Sequence, residues 1–126
     1  MGQFRKSSGT RNEFFRKRHR FEHWYRDSTV YFITSKVRDG AHRFLTEPAK
    51  AAFWGRFNHY TSAHNFVPWV TTLLSNHYHT LGYLKVGKNL GPMMRKLHGS
   101  VAWLTMEATG VKHVPFWRGR GEARLL

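Results

Sequence analysis

The stretch FVPWVTTLLSNHYHTLGYLKV, residues 66–86, decides the fold. Its first part, Phe66–Leu74, and its last part, His77–Val86, are rich in β-branched and aromatic residues, which favour strands. The pair Ser75 and Asn76 between them is typical of a short turn. The stretch therefore predicts two strands joined as a β-hairpin.

A strand and a helix are predicted before the hairpin. Thr29–Lys36 (TVYFITSK) alternates with period two and is rich in β-branched and aromatic residues, so it predicts a first strand. Thr46 suits a helix N-cap, and Pro48 suits the first helical turn. Apolar residues then recur at helical spacing over residues 49–64, which predicts the first helix.

A second helix and a further strand are predicted after the hairpin. A strong apolar stripe indicates a helix over Asn89–Thr109, and Gly110 is a suitable stop. Val111–Trp117 predicts a short fourth strand, which Pro115 would confine to a sheet edge. The order strand, helix, strand, strand, helix, strand predicts an α+β, ferredoxin-like βαββαβ fold, in which two helices cover one face of an antiparallel sheet.

The chain length of 126 residues fits a single domain. We expect a basic leader over residues 1–28, the folded domain over 29–117 and a frayed basic tail over 118–126. The leader interleaves Lys and Arg with aromatic residues. Its aromatic rings either stack on unpaired bases or anchor the leader to the core, and both interpretations stay open.

The net charge indicates the kind of partner. The chain has 21 Lys and Arg residues against 7 Asp and Glu residues, which gives a net charge of +14. Such an excess is typical of proteins with a polyanionic partner. No basic amphipathic segment has the broad apolar side of a membrane-bound helix. We therefore expect a nucleic acid as the partner and no membrane contact.

The composition also excludes several classes of chemistry. Without cysteine, the chain has no disulfide, no thiol nucleophile and no cysteine-ligated zinc or iron–sulfur site. The acidic residues are scattered, which argues against the carboxylate cluster of a two-metal nuclease. No apolar run approaches the roughly 18 residues of a membrane span, and no secretory signal is recognisable. We expect a soluble, cytoplasmic protein.

The most informative residues for chemistry are two histidines in the hairpin. His77 and His79 should project from one face of the predicted strand, about 6–7 Å apart at Cα, while Tyr78 turns to the face where the helices pack. Two imidazoles at this spacing suit a divalent metal ion. The spacing equally fits two unrelated histidines on an open strand. His98, on the second predicted helix, is expected to be partly buried.

The sequence around these histidines, SNHYHTLGYL over residues 75–84, resembles the Asn-His-hydrophobic-His-hydrophobic signature of single-tyrosine transposases. These are the REP-associated tyrosine transposases and related insertion-sequence enzymes of the HUH endonuclease superfamily. The flanking segments resemble the same family in the same order: FEHWYR at 21–26, YFIT at 31–34, LGPMMRKLHGSVA at 90–102 and VPFW at 114–117. The resemblance covers roughly residues 20–117.

The resemblance implies a mechanism. In this family two histidines and a third polar ligand hold Mg²⁺ or Mn²⁺, which implies that His77 and His79 are metal ligands. The ion polarises the scissile phosphate of single-stranded DNA, often beside a hairpin, and a tyrosine hydroxyl attacks to give a 5′-phosphotyrosine link and a free 3′-OH. The implied function is binding, nicking and rejoining of hairpin-bearing single-stranded DNA, by a monomer or a homodimer.

The sequence departs from the family at the nucleophile. The family's tyrosine lies on a helix well downstream of the histidines, whereas nine residues follow Trp117 here. We therefore expect a chain without this helix and the third metal ligand that it offers, which leaves open a truncated product, a fragment of a longer enzyme and a DNA-binding protein inactive for cleavage. Tyr83 is the one tyrosine expected to lie on the same strand face beyond the histidines. It is a weak candidate nucleophile, and packing or base stacking is the favoured alternative for it.

The predicted DNA contacts combine leader residues with the start of the second helix. They are Arg16, Lys17, Arg18, Arg20, Trp24, Arg26, Lys88, Arg95 and Lys96. Two other functions stay open. One is a non-enzymatic nucleic-acid-binding protein that uses the same basic surface. The other is a small zinc-dependent hydrolase with His77, His79 and His113 as ligands.

Overall fold

A computed structural model describes residues 25–112 and 115–126. Its regular elements are β1 (Thr29–Lys36), α1 (Glu47–Ala63), β2 (Phe66–Leu73), β3 (His77–Leu84), α2 (Leu90–Thr109) and β4 (Glu122–Leu125). Short 3-10 turns precede α2 and follow β1. None of the helices in these two ranges is long and apolar enough to cross a membrane.

The four strands form one antiparallel sheet in the order β2-β3-β1-β4. β3 and β1 are the central pair, in a register that sets Lys36 opposite His77 and Thr34 opposite His79. Because a helix links β1 to β2 and another links β3 to β4, the topology is the α+β, ferredoxin-like βαββαβ arrangement. The predicted fold is confirmed.

Both helices pack on one face of the sheet. Buried and half-exposed residues alternate along β1 and β3, as expected for strands with one covered face. The covered face and the inner sides of the helices form a single core, whose largest buried side chains include Tyr31, Ile33, Tyr78, Leu84, Phe53, Met93, Leu97 and Val101. The opposite sheet face is covered by neither helix, and we call it the open face.

The helix ends follow the capping residues that the sequence offers. The Thr46 side chain accepts a hydrogen bond from the Ala49 backbone N–H, 3.3 Å away, which satisfies a donor in the first turn of α1. Gly110 takes a left-handed conformation (φ 72°) at the end of α2. Both predicted helix boundaries are therefore confirmed to within two residues.

The described end of the predicted leader is bound to the domain. The Arg26 backbone N–H donates to the Tyr31 hydroxyl at 2.6 Å, and that hydroxyl lies 3.1 Å from the Arg26 carbonyl oxygen, to which it donates. The Asp27 carboxylate accepts from the Gly87 backbone N–H at 2.7 Å. The rest of the leader, with the predicted contacts Arg16, Lys17, Arg18, Arg20 and Trp24, lies outside the described residues.

The fourth strand is not where the sequence places it. The prediction of a strand over Val111–Trp117 is wrong for the residues of this segment that the structure describes, because none of them is in a strand and Trp117 makes only an isolated bridge to Val37. Its indole is instead buried and donates a hydrogen bond to the His98 carbonyl oxygen at 2.8 Å. The strand is β4, inside the segment predicted to be a frayed tail, where its register sets Ala123 opposite Ile33 of β1.

Two glycines with positive φ, Gly119 (68°) and Gly121 (90°), turn the chain back toward β1. A Cβ atom at Gly121 would overlap the Ser35 hydroxyl and lie 3.0 Å from the Met94 methyl group, whereas a Cβ at Gly119 would meet nothing within 4 Å. The docking of β4 therefore requires glycine at 121 for both its conformation and the space it leaves.

We expect Gly121→Ala to lower the free energy of unfolding by at least about 1 kcal/mol more than Gly119→Ala. Both variants carry a left-handed backbone cost of about 1–2 kcal/mol, and only Gly121→Ala adds a steric clash. Urea denaturation followed by circular dichroism measures the difference. Equal losses in the two variants would show that the space beside Ser35 is not limiting.

His98 is buried in the core, with 7% of its surface exposed, so it is more deeply buried than the sequence suggested. Its Nε2 atom lies 2.7 Å from the Tyr78 hydroxyl and 3.0 Å from the Ser35 hydroxyl, so a polar contact joins α2, β3 and β1. Burial lowers the pKa of His98 to about 3 and raises the pKa of Tyr78. The core therefore contains a neutral imidazole and a neutral phenol.

This burial predicts loss of stability in acid. Unfolded His98 takes up a proton as pH falls below its ordinary pKa near 6.5, while the folded chain does not until about pH 3. The stability linked to His98 is complete above pH 6.5 and should fall by about 1.4 kcal/mol per pH unit between those values. Urea unfolding at several pH values measures the slope. His98→Gln, which does not titrate, should have a smaller slope, and an unchanged slope would contradict the assignment.

Candidate functional site

The open face of the sheet carries the predicted histidines. Both are half-buried, on the opposite side of β3 from the buried Tyr78, as the alternation along the strand requires. The ring centroids of His77 and His79 are 4.8 Å apart, with the ring planes at 82° to one another. The structure therefore brings the two imidazoles side by side.

His79 is held from the neighbouring strand β1. Thr34, directly opposite in the register, places its hydroxyl 3.0 Å from Nδ1 of His79. Phe32, two residues along the same face of β1, stacks on the imidazole with ring centroids 5.5 Å apart and planes at 17°. These contacts fix the orientation of the ring and engage Nδ1, so Nε2 is the nitrogen left for a ligand.

His77 is held by its neighbour Asn76. The Asn76 side-chain N–H donates to the Gly40 carbonyl oxygen at 3.2 Å. Because a carbonyl can only accept, this contact identifies which amide atom of Asn76 is the nitrogen and which is the oxygen. The Asn76 amide oxygen is then 2.7 Å from Nδ1 of His77 and must accept from it. The proton of the neutral His77 ring is therefore on Nδ1, and Nε2 carries the lone pair that a metal ion needs.

The electrostatic surroundings favour the same neutral state. Burial lowers the pKa of His77, and the nearby His79 and Lys36 lower it further. A neutral imidazole is the form that ligates metal ions. The pair thus fits a divalent cation as two nitrogen ligands, with oxygen ligands from water or phosphate in the other positions.

The described part of the chain supplies no third protein ligand of the usual kind. Across residues 25–112 and 115–126, no group of three or more His, Cys, Asp or Glu side chains is arranged to hold a metal ion. His113, the third histidine of the zinc-hydrolase alternative, lies outside those ranges.

Two basic residues that the sequence reasoning missed share the open face with the histidines. Lys36 lies opposite His77, and Arg124 of β4 lies opposite Phe32 on the other side of β1. Residue parity in TVYFITSK could have identified Lys36, since it alternates with the buried positions of β1. Arg124 could not have been found, because β4 was not predicted.

The described basic residues of the sequence prediction lie away from the pair. Arg95 and Lys96 are exposed on α2, which packs on the opposite face of the sheet. Lys88 is exposed in the turn after β3, and Arg26 is exposed just before β1. The structure therefore does not gather these four cations around His77 and His79.

All five tyrosines lie in the described ranges, and only Tyr83 is on the open face. Tyr83 is four residues from His79, about 13 Å along β3. The Tyr31 and Tyr78 rings are buried on the helix face, Tyr60 contacts histidines along α1, and Tyr25 lies near Gly87. No tyrosine hydroxyl is thus placed directly beside the histidine pair.

Known structures share this fold. One is a REP-associated tyrosine transposase bound to a REP hairpin, with a TM-score of 0.67 and 17% identity over 87% of this chain and 61% of that one. Another is a Deinococcus radiodurans protein assigned as a transposase, with a TM-score of 0.59 and 13% identity over 87% of this chain and 84% of that one.

No protein-family model matches the chain, and no curated protein matches it. The chain spans 61% of the length of the REP-associated transposase. At these identities, the likeness establishes that the chain has the fold of transposase domains.

Proposed function

We propose that the chain binds hairpin-bearing single-stranded DNA through a divalent-cation site at His77 and His79, as a nicking and rejoining domain of the tyrosine transposase type. The observation that carries the proposal is the orientation of the two rings, which are fixed at Nδ1 on an open sheet face and leave Nε2 for a ligand. The shared fold with a transposase bound to a REP hairpin supports DNA as the partner.

The chemistry of such a site follows from its parts. Mg²⁺ or Mn²⁺ at the two Nε2 atoms would stabilise negative charge on the oxygens of a phosphate ester. Asn76 and Thr34 keep the two rings in place, and Lys36, opposite His77, would add a positive charge beside a phosphate at this site. Nicking also requires a hydroxyl nucleophile, and we assign none, because Tyr83 is about 13 Å from His79 along the strand.

That distance favours a second candidate, a nucleic-acid-binding protein without cleavage activity. Labelled hairpin-bearing single-stranded DNA, incubated with the protein and Mn²⁺, separates the two. A covalent protein–DNA adduct that His79→Ala abolishes supports nicking. Selective binding of the hairpin strand without an adduct supports the second candidate. Equal affinity for random duplex and hairpin-bearing strands at moderate salt contradicts both.

Mn²⁺ should strengthen DNA binding through the histidine pair alone. We expect His77→Ala and His79→Ala to remove the gain in affinity that Mn²⁺ produces, while most of the metal-free affinity remains, because Lys and Arg contacts to phosphates are distributed over the surface. Fluorescence anisotropy with and without Mn²⁺ measures this gain. His59→Ala, an exposed histidine on α1, is the control and should behave as the wild type. If both His77→Ala and His79→Ala keep the full Mn²⁺-dependent increase in DNA affinity, the histidine pair is not the cation site.

The contact between Thr34 and His79 should matter for metal affinity. Thr34→Val keeps the shape and removes the hydroxyl, and we expect Mn²⁺ to bind about tenfold more weakly, as for other lost contacts behind a metal ligand. Thr34→Ser should restore most of the affinity. Thr72 flanks His79 from β2 without a side-chain hydrogen bond to another described residue, so Thr72→Val is the matched control. Titration calorimetry measures the affinities, and similar losses in both valine variants would refute a specific role.

A further inference from the structure

The open face is divided along β3 into two unlike halves. The half that holds His77 and His79 is polar and includes Thr34 and Lys36. The half toward the end of β3 is apolar, and we call it the apolar half. It consists of Val30 and Phe32 on β1, Val67 and Val70 on β2, and Leu81 and Tyr83 on β3, which the strand registers place side by side.

The apolar half is unusually open for residues of this kind. Val67 is 53% exposed and Val70 is 62% exposed, and Trp69, at the β-bulge between Pro68 and Val70, is 58% exposed. Contiguous exposed apolar surface of this kind typically marks a binding site.

Tyr83 contributes an aromatic ring from β3 to the apolar half. It makes no aromatic contact, and its hydroxyl makes no hydrogen bond, with any other residue of the described ranges. Phe32, in contrast, stacks on His79. The register places Tyr83 diagonally across from Phe32, at a Cα distance of about 7–8 Å. Two rings on the central strands therefore lead from the apolar half to the histidine pair.

The charges around these rings indicate what they bind. Among the described strand residues whose side chains share the open face, Lys36 and Arg124 are basic and Glu122 is the only acid. Arg124 lies directly opposite Phe32. With a net charge of +14 for the whole chain, aromatic rings beside cations suit unpaired bases linked by phosphates.

We propose that the apolar half binds unpaired bases of a single strand, with Tyr83 and Phe32 as stacking surfaces and Arg124 near the connecting phosphates. The inference rests on the proposed function, and it adds a base-binding subsite to the phosphate site at the histidines. Duplex DNA cannot occupy this subsite, because the faces of paired bases are already stacked on one another.

Binding of a short oligothymidylate, in buffer without divalent cations, tests the subsite. Tyr83→Leu should weaken binding about tenfold, as expected for the loss of one stacked base. An abasic strand of the same length should bind the wild type and Tyr83→Leu equally. Trp103→Leu is the matched control, because Trp103 is a 60% exposed aromatic residue on α2, on the other side of the sheet, and its loss should have no effect.

A second variant covers a failure of Tyr83→Leu to fold. Val70→Glu changes an exposed residue of an edge strand and puts a carboxylate into the apolar half, so it should also weaken oligothymidylate binding selectively relative to the Trp103→Leu control.

Three outcomes test the base-binding subsite and the proposed function on which it rests. The inference is overturned if folded Tyr83→Leu and Val70→Glu both bind oligothymidylate as tightly as the wild type does. The proposed function stays intact in that case if the same variants still bind hairpin DNA in a Mn²⁺-dependent way. A dimer in sedimentation that Val70→Glu dissociates also overturns it, since a second copy would then occupy the apolar half. If the wild type binds no DNA at all, the proposed function fails and the subsite fails with it.

Discussion

The placement of Tyr78 in the core determines the direction in which His77 and His79 point. Its hydroxyl lies 2.7 Å from Nε2 of His98 beneath the sheet, and side chains alternate faces along a strand. A slip of β3 by one residue would bury two imidazoles and expose this phenol, leaving His98 without that partner. The buried contact between α2 and β3 therefore specifies the register on which the open face depends.

Local sequence was sufficient to predict five of the six helices and strands, because each of those five has its own signal. Thr29–Lys36 alternates, Thr46 and Gly110 mark helix ends, and Ser75-Asn76 separates the hairpin strands. The strand β4 carries too weak a signal, since its four residues include only Ala123 and Leu125 as apolar members. It forms because β1 offers a free edge and two glycines direct the chain there, and both are properties of the folded chain.

In the candidate site, too, local sequence predicts some features, and others arise only in the folded chain. The shared face of His77 and His79 follows from residue parity within one strand. Thr34, Phe32 and Arg124 enter the site through pairing between strands, and no spacing in the sequence contains that register. Asn76 and His77 are adjacent in the sequence, but the Asn76 amide can accept from His77 only because the Gly40 carbonyl fixes its orientation.

Net charge alone does not locate the proposed DNA site, because cations lie on both sides of the sheet. Arg95 and Lys96 are exposed on α2, and Lys36 and Arg124 share the open face. Charge of this kind attracts any polyanion over long distances, whether duplex or single-stranded. A preference for single strands has to come from short-range contacts. If a phosphate binds at His77 and His79 while bases stack on Phe32 and Tyr83, the DNA strand has to run along β3 with the faces of its bases exposed. Only unpaired nucleotides meet that requirement.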